Sequence, residues 1–205
     1  MAEGSTPPLI LASGSRTRRA MLEAAGVRFT VVPADLDEAA FRTGLRDGRP
    51  DADGATVAEA LARAKAEAVS RRHPDAVVIG ADQVLTLGTD IVEKAPTVEK
   101  VREQILRLRG RVHELHSAAA IAIGGTARWS HTDTATLAMR RFSVTFLDRY
   151  LAAVGDRACD SVGGYQLEGL GIQLFEEIDG DFFTILGLPL LALLEELRLR
   201  EILDT

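Results

Sequence analysis

The chain has 205 residues, 46% of them hydrophobic and 26% charged, with a formal net charge of -6. That length and apolar content suffice for one domain with a sizeable core, with or without a subdomain, expected over residues 1–205; the alternation of helices and strands along the chain makes its class α/β. The acidic balance excludes a general nucleic-acid or membrane-surface binder, so any basic character has to be local. A lone Cys159, with no Cys/His cluster at zinc spacing, excludes a disulfide scaffold and fits a reducing compartment. Met1 to Pro8 is short and polar with no signal-peptide apolar region, and no window reaches transmembrane length, so a cytoplasmic location is expected.

The first informative stretch runs from an apolar strand, Leu9 to Leu11, through a small-residue turn at Ala12 to Ser15, into a helix continuing to Ala25. Arg16, Arg18 and Arg19 crowd its start. Free N–H groups and the helix dipole there disfavour cations and favour anions. A phosphate chain supplied from outside would be met by the hydroxyls of Ser13 and Ser15, by backbone N–H groups and by guanidinium forks. The alternative is a solvated basic turn in which Ser15 only caps the helix. No Gly-Lys-Ser/Thr follows, so this is not a Walker A loop.

Gly26 stops that helix, and Val27 to Pro33 reads as a second strand. Asp35 to Glu38 is acidic, and Gly44 to Gly54 is the most loop-like segment, either a mobile flap or a plain surface loop. Thr56 to Arg72 reads as a helix with Val57, Leu61, Ala64 and Ala68 as its apolar stripe. Lys65 stands at the edge of that stripe, to snorkel along the core boundary or to reach into a cleft. Ala76 to Ile79 is a continuously apolar run typical of a central strand, followed by Gly80-Ala-Asp-Gln83. A carboxylate just past a buried strand is where open α/β sheets place ligand chemistry.

Val84 to Leu87 and Ile91 to Val92 read as a hairpin ending at Glu93-Lys94, and Thr97 to Leu108 as a helix capped by Thr97. Two long strands, Val112 to Ile123 and Ala127 to Met139, flank Gly124-Gly125. His113, His116 and His131 lie on them without metal spacing and read as sheet or surface residues. Ser143 caps a helix through Ala153, and Cys159 to Gly169 reads as a structured, substrate-facing loop. Gly171 to Ile178 and Phe182 to Ile185 read as a strand pair around Asp179-Gly180, before a closing helix, Leu190 to Leu203.

Cations together with carboxylates are what phosphate chemistry requires: Lys and Arg neutralise phosphate oxygens, while a carboxylate holds a divalent metal or removes a proton from the attacking water. Arg16, Arg18, Arg19, Glu38, Lys65, Asp82 and Lys94 are the charged residues that stand outside the core pattern. In order along the chain come Ala-Ser-Gly-Ser-x-x-Arg at 12–18, Ala-Asp-x-Asp-Glu at 34–38, Ala64-Lys65-Ala66, Ile79-Gly-Ala-Asp-Gln83, Glu93-Lys94, Gly110-x-x-His113, Gly163-Gly-Tyr165, Glu168-Gly169 and Gly187-Leu-Pro189. Together they resemble the Maf family of nucleoside triphosphate pyrophosphatases over essentially the whole chain.

The resemblance implies a mixed sheet with flanking helices in the two-lobed, inosine-triphosphate-pyrophosphatase-like fold with a central cleft, often dimeric. It further implies metal-dependent cleavage of a nucleoside triphosphate to monophosphate and pyrophosphate, with Mg2+ or Mn2+ as the cation. Carried over, it puts Ser13, Arg18 and Lys94 on the phosphates and Glu38, Lys65 and Asp82 at the reactive end. Asp82 is then the proton acceptor, and Glu38 and Asp82 are the carboxylates for the metal. A nucleotide-binding regulator of septum formation, using the same pocket without catalysis, is the competing implication.

The departures bear on the base. Arg16 replaces the usual proline, Ala95 replaces the proline after the phosphate-site lysine, and Thr17 matches neither the arginine of the pyrimidine branch nor the tryptophan of the 7-methyl-GTP branch. Gln83 and Glu168 look like the 7-methyl-GTP branch, whose dTTP/UTP counterparts are threonine and glutamine, and Ser161 stands where that second branch often has lysine. A carboxylate at Glu168 can accept from the N1–H and amino group of guanine but offers no donor to a uracil carbonyl. Alternatively it faces solvent or an arginine. Gln83 carries both donor and acceptor and discriminates less.

Overall fold

The computed structural model describes residues 7–204, so most of the polar Met1 to Pro8 segment lies outside the described residues. A seven-stranded mixed sheet carries the molecule, in the order β2-β1-β3-β5-β6-β7 with β4 paired to β3. The strands are β1 (Leu9–Leu11), β2 (Thr30–Val31), β3 (Val77–Leu87), β4 (Asp90–Val92), β5 (Val112–Ile123), β6 (Thr126–Met139) and β7 (Phe175–Asp179). The helices are α1 (Arg16–Ala24), α2 (Glu38–Gly48), α3 (Gly54–Ser70), α4 (Val98–Leu108), α5 (Val144–Val154), α6 (Phe182–Ile185) and α7 (Leu190–Leu199). Three short 3-10 segments lie between α5 and β7. Among the described residues no helix is long and apolar enough to cross a membrane.

Alternation along β3 assigns the two faces of the sheet. Val84 packs under Val57, Ala58, Leu61 and Ala62 of α3, together with Ala118, Ala120 and Ala122 of β5. Small residues on β5 let α3 lie close to the sheet. Gly80 marks the tightest approach, since a Cβ there would stand 2.1 Å from the Ala62 carbonyl and 2.6 Å from the Ala66 nitrogen. On the opposite face, Ile79 and Ala81 join a cluster with Met21 and Leu22 of α1 and Leu190, Leu193 and Leu197 of α7. Leu85 and Leu87 join a second cluster with α4 and α5. The long β5–β6 hairpin turns at Gly124 and Gly125, both at positive φ, as the two-glycine signal requires.

Several boundaries differ from the sequence reading. The first part of the expected loop at Gly44 to Gly54 is the end of α2, and only residues 49–53 connect it to α3: Asp37 caps α2 by accepting from the Ala40 nitrogen, and Phe41 and Leu45 pack against the α3 layer. The expected second strand shrinks to Thr30–Val31. Phe182 to Ile185 is a helical turn rather than a return strand, because Asp181 accepts from the Thr184 nitrogen and caps it. The α3 stripe is rotated from the one expected. It buries Val57, Ala58, Leu61, Ala62, Lys65, Ala66 and Val69, while Ala64 and Ala68 are half-buried. Lys65 is therefore inside rather than at the edge.

Candidate active site

The cleft is a gap in the sheet. Pairing of β1 with β3 ends where the Ala12 nitrogen donates to the Ile79 carbonyl, and β4 does not join β3 until Val92 opposite Leu85. Between these points one edge of β3, at residues 80 to 84, has no strand beside it among the described residues. Asp82 consequently sits in mid-strand, opposite Ala118 of β5, and not beyond the end of a strand as expected. The cavity at the gap measures about 480 Å³, and its walls include all ten residues nominated from the sequence: Ser13, Ser15, Thr17, Arg18, Glu38, Lys65, Asp82, Gln83, Lys94 and Glu168.

Strand alternation sends neighbouring residues to opposite faces. Asp82 points to α3, where Lys65 Nζ donates to its Oδ1 at 2.6 Å. The same Nζ lies 2.7 Å from Oε1 of Glu38, the first residue of α2. The Lys65 and Asp82 side chains are 10% and 6% exposed, against 41% for Glu38, so the pair is sheltered and Glu38 forms its solvent side. Burial pushes the Asp82 carboxyl above the usual carboxylate range, with Lys65 and then Arg18 pulling the other way.

Gln83 points to the other face. Its amide nitrogen donates to Ser117 Oγ at 3.0 Å and to the carbonyls of Thr184 and Ile185 at 3.2 and 2.9 Å. Those acceptors absorb the donor half of the amide, and among the described residues Oε1 accepts no hydrogen bond. Glu168, on the rim, is exposed, and Thr17 is half-buried on the first turn of α1.

The basic turn is more structured than its composition suggested. Ser15 caps α1 by accepting from the Arg18 nitrogen at 3.3 Å. Arg18 is buried: Nε donates to the Gly187 carbonyl at 2.7 Å, and Nη1 donates to Ser13 Oγ at 3.2 Å and to the Ala81 carbonyl at 3.0 Å. Ala81 lies on the unpaired edge of β3, so Arg18 supplies a hydrogen bond that a strand would otherwise give. It ties α1, β3 and the Gly187 turn together and fixes the Ser13 hydroxyl. Arg19 pairs with Glu23 outside the cleft at 2.7 Å, and Arg16 reaches across the cleft to Asp160. Lys94 is exposed on the cleft wall after β4.

The sequence reading missed three features. Arg42, one turn after Glu38 on α2, lines the cleft; its i,i+4 spacing from Glu38 becomes legible once α2 is seen to be helical. His113, of the two alternatives read for it, is a sheet residue on β5 and buried, and its Nε2 lies 2.7 Å from the Tyr165 hydroxyl behind the cleft wall. His116, also buried, bonds Thr86 and Thr134. The Gly110-x-x-His and Gly-Gly-Tyr motifs were signals for the first of these. Gly163 and Gly164, at positive φ, bring the chain against α4, where a Cβ on Gly164 would stand 2.3 Å from Val101, and so deliver Tyr165 to His113.

A family model described as Maf-like protein matches residues 8–200. The chain belongs to the Maf family. Among curated Maf relatives, a nucleoside triphosphate pyrophosphatase of Granulibacter bethesdensis is 50% identical over 193 residues, covering 93% of this chain and 95% of the relative. A 7-methyl-GTP pyrophosphatase of Brucella abortus is 48% identical over 202 residues, covering 97% and 99%. A 7-methyl-GTP pyrophosphatase of Rhizobium johnstonii is 50% identical over 195 residues, covering 94% and 96%. The Maf signature segments named from the sequence fall on the walls of one cleft, except Gly110-x-x-His113, which supports it from behind, and Gly187-Leu-Pro189, whose Gly187 carbonyl holds the cleft residue Arg18.

Among the described residues no three His, Cys, Asp or Glu side chains gather as a metal cage. Glu38 and Asp82 alone, on either side of Lys65 Nζ, still suit a Mg2+-type ion. Such an ion takes one or two carboxylates and completes its shell with substrate phosphate oxygens and water.

Proposed function

We propose that this Maf protein is a nucleoside triphosphate pyrophosphatase, cutting the α–β anhydride of a nucleotide to give a monophosphate and pyrophosphate in the cytoplasm. The observation that carries the reading is the buried Asp82–Lys65 pair, with Glu38 on its solvent side, in a cleft whose opposite wall is the Ser13 turn at the start of α1. The names of the relatives support it.

In this reading Asp82 takes a proton from water through Oδ2, the oxygen Lys65 does not hold. The water oxygen bonds to the α-phosphorus, the bond to the bridging oxygen breaks, and pyrophosphate leaves with that electron pair. A carboxyl raised by burial is better matched to accepting a proton near neutral pH than an ordinary exposed aspartate. Lys65 keeps Asp82 oriented and supplies positive charge beside the phosphate, while Ser13, held by Arg18, and Lys94 grip the chain. Glu38 and Asp82 would hold Mg2+ or Mn2+, which when bound neutralises charge on the phosphate oxygens.

The base preference we assign is 7-methyl-GTP. Gln83 has its donors consumed inside the protein and Glu168 is a carboxylate, so the two side chains offer acceptors only. The N1–H and amino group of a guanine-type base satisfy acceptors, whereas a uracil edge presents mostly carbonyls. The sequence alone left Gln83 ambiguous, and the bonds that use its amide nitrogen support the acceptor reading.

The test is a panel of 7-methyl-GTP, UTP, dTTP and CTP with Mg2+ or Mn2+, with both products quantified. The reading expects pyrophosphate and monophosphate in equal amounts, and 7-methyl-GTP turnover at least equal to that of UTP. Nucleotide binding with no turnover would support a non-catalytic regulator instead.

A further inference from the structure

The cations of the cleft differ in how fully they are already occupied. Arg18 spends its Nε and Nη1 donors on Gly187, Ser13 and Ala81, Lys65 holds two carboxylates, and Arg16 is tied to Asp160. Arg42 is the exception among the guanidinium groups. Its Nη1 lies 3.8 Å from Glu38 Oε2 and its Nη2 3.7 Å from Glu93 Oε1, too long for hydrogen bonds. Its Nε is buried with no partner, and among the described residues the group donates no side-chain hydrogen bond. A guanidinium presents five donors in a planar fork, and one left unbonded between two distant carboxylates is available to an incoming acceptor.

Position suggests which acceptor. From the floor of the cleft to its rim the charges alternate: Asp82, Lys65, Glu38, Arg42, Glu93, each near the next. Lys94 follows Glu93 in the chain and lines the same wall. Arg42 therefore lies on the far side of Glu38 from the reactive carboxylate, while Thr17, Gln83 and Glu168 lie with the α1 and α6 walls. A triphosphate whose α-phosphorus is at Asp82 and whose base is at Gln83 has its two outer phosphates left for the α2 and β4 wall.

We propose that Arg42 is a substrate-binding residue for the outer two phosphates, and hence the grip on the departing pyrophosphate. This rests on the pyrophosphatase reading above. Two parallel N–H donors of the fork meet two phosphate oxygens, and the buried Nε–H gains the partner it lacks in the free protein. The loose contacts to Glu38 and Glu93 hold the fork extended between ligands at little cost to its release. Lys94, a point charge at the rim, adds attraction without fixing orientation.

The test uses calorimetric binding of pyrophosphate and, separately, of 7-methyl-GMP to the full-length protein in Mg2+ buffer, for the wild type, Arg42→Gln and Arg42→Lys. Arg42→Gln should weaken pyrophosphate binding at least tenfold while leaving monophosphate binding within twofold. Arg42→Lys should recover part of the loss, since charge is restored but the fork is not. Unchanged pyrophosphate affinity in Arg42→Gln, or an equal loss for both ligands, would overturn the assignment. Should the glutamine variant be misfolded by circular dichroism, the lysine variant decides alone: it must weaken pyrophosphate and spare the monophosphate. Because binding is measured without turnover, an inactive wild type would count against the pyrophosphatase reading, and the pyrophosphate titrations would still judge Arg42.

Discussion

Gly80→Ala couples the fold to the chemistry through one methyl group. The added Cβ would stand 2.1 Å from the Ala62 carbonyl, 2.6 Å from the Ala66 nitrogen and 2.9 Å from the Ala66 Cβ. Ordinary contact begins at 3.4 Å, so α3 must lift from β3 by roughly 1 Å. Two of the three clashing atoms are backbone, so no rotamer change relieves them. Overpacking of this kind costs about 1–3 kcal/mol, and the rigid neighbours put this site at the upper end, near 3 kcal/mol. Lys65 lies between Ala62 and Ala66 in the same helix, and its 2.6 and 2.7 Å contacts to Asp82 and Glu38 have little length to spare. Misplacement by 1 Å can cost on the order of 100-fold in rate. Urea unfolding near neutral pH and steady-state hydrolysis of 7-methyl-GTP should both be recorded, with Gly44→Ala as control. Gly44 is in a helix with open space around its Cβ position, so the control should be neutral or gain up to about 1 kcal/mol. If Gly80→Ala stays within about 0.5 kcal/mol of the wild type and keeps full activity, the link from the α3–β3 contact to the reactive carboxylate is wrong.

Other outcomes follow from the same geometry. Lys65→Met should lose activity and destabilise the protein by about 3–5 kcal/mol, because it leaves the Asp82 charge buried without its partner; denaturant midpoints and kcat report this together. Glu168→Gln should shift the ratio of 7-methyl-GTP to UTP turnover toward UTP, and an unchanged ratio would remove the base argument from that residue. His113 has its pKa pushed by burial from 6.5 to about 4, so the native state binds fewer protons than the unfolded chain between those values. Its contribution to stability is complete above about pH 6.5 and declines as pH falls toward 4, by about 3 kcal/mol in all. In unfolding titrations His113→Phe should flatten that acid slope, whatever its effect on absolute stability.

The parts legible in the sequence were those written in short-range chemistry. The Thr97 and Ser143 caps, the Gly124-Gly125 hairpin and the strand–turn–helix at Ser13 all appear where read, because each depends on neighbours a few residues away. The α2 helix was hidden because its glycines and polar residues imitate a loop, and what holds it is the packing of Phe41 and Leu45 against the α3 layer. Lys65 was placed at a boundary because its depth depends on Asp82, seventeen residues away and on another element. Arg18 read as a phosphate fork, and only the tertiary fold shows that the Gly187 and Ala81 carbonyls already use two of its donors. Composition gave no warning of that, since both acceptors are backbone atoms.

The central claim is that Asp82 in this cleft drives cleavage of a nucleoside triphosphate between its α and β phosphates. Hydrolysis in 18O-labelled water tests it most directly, with the products of wild type and Asp82→Asn compared by mass spectrometry. The account predicts pyrophosphate and monophosphate in equal amounts from the wild type, label in the monophosphate alone, and turnover abolished in Asp82→Asn while nucleotide binding persists. Release of inorganic phosphate with a nucleoside diphosphate, label in the pyrophosphate, or undiminished turnover in Asp82→Asn would contradict it.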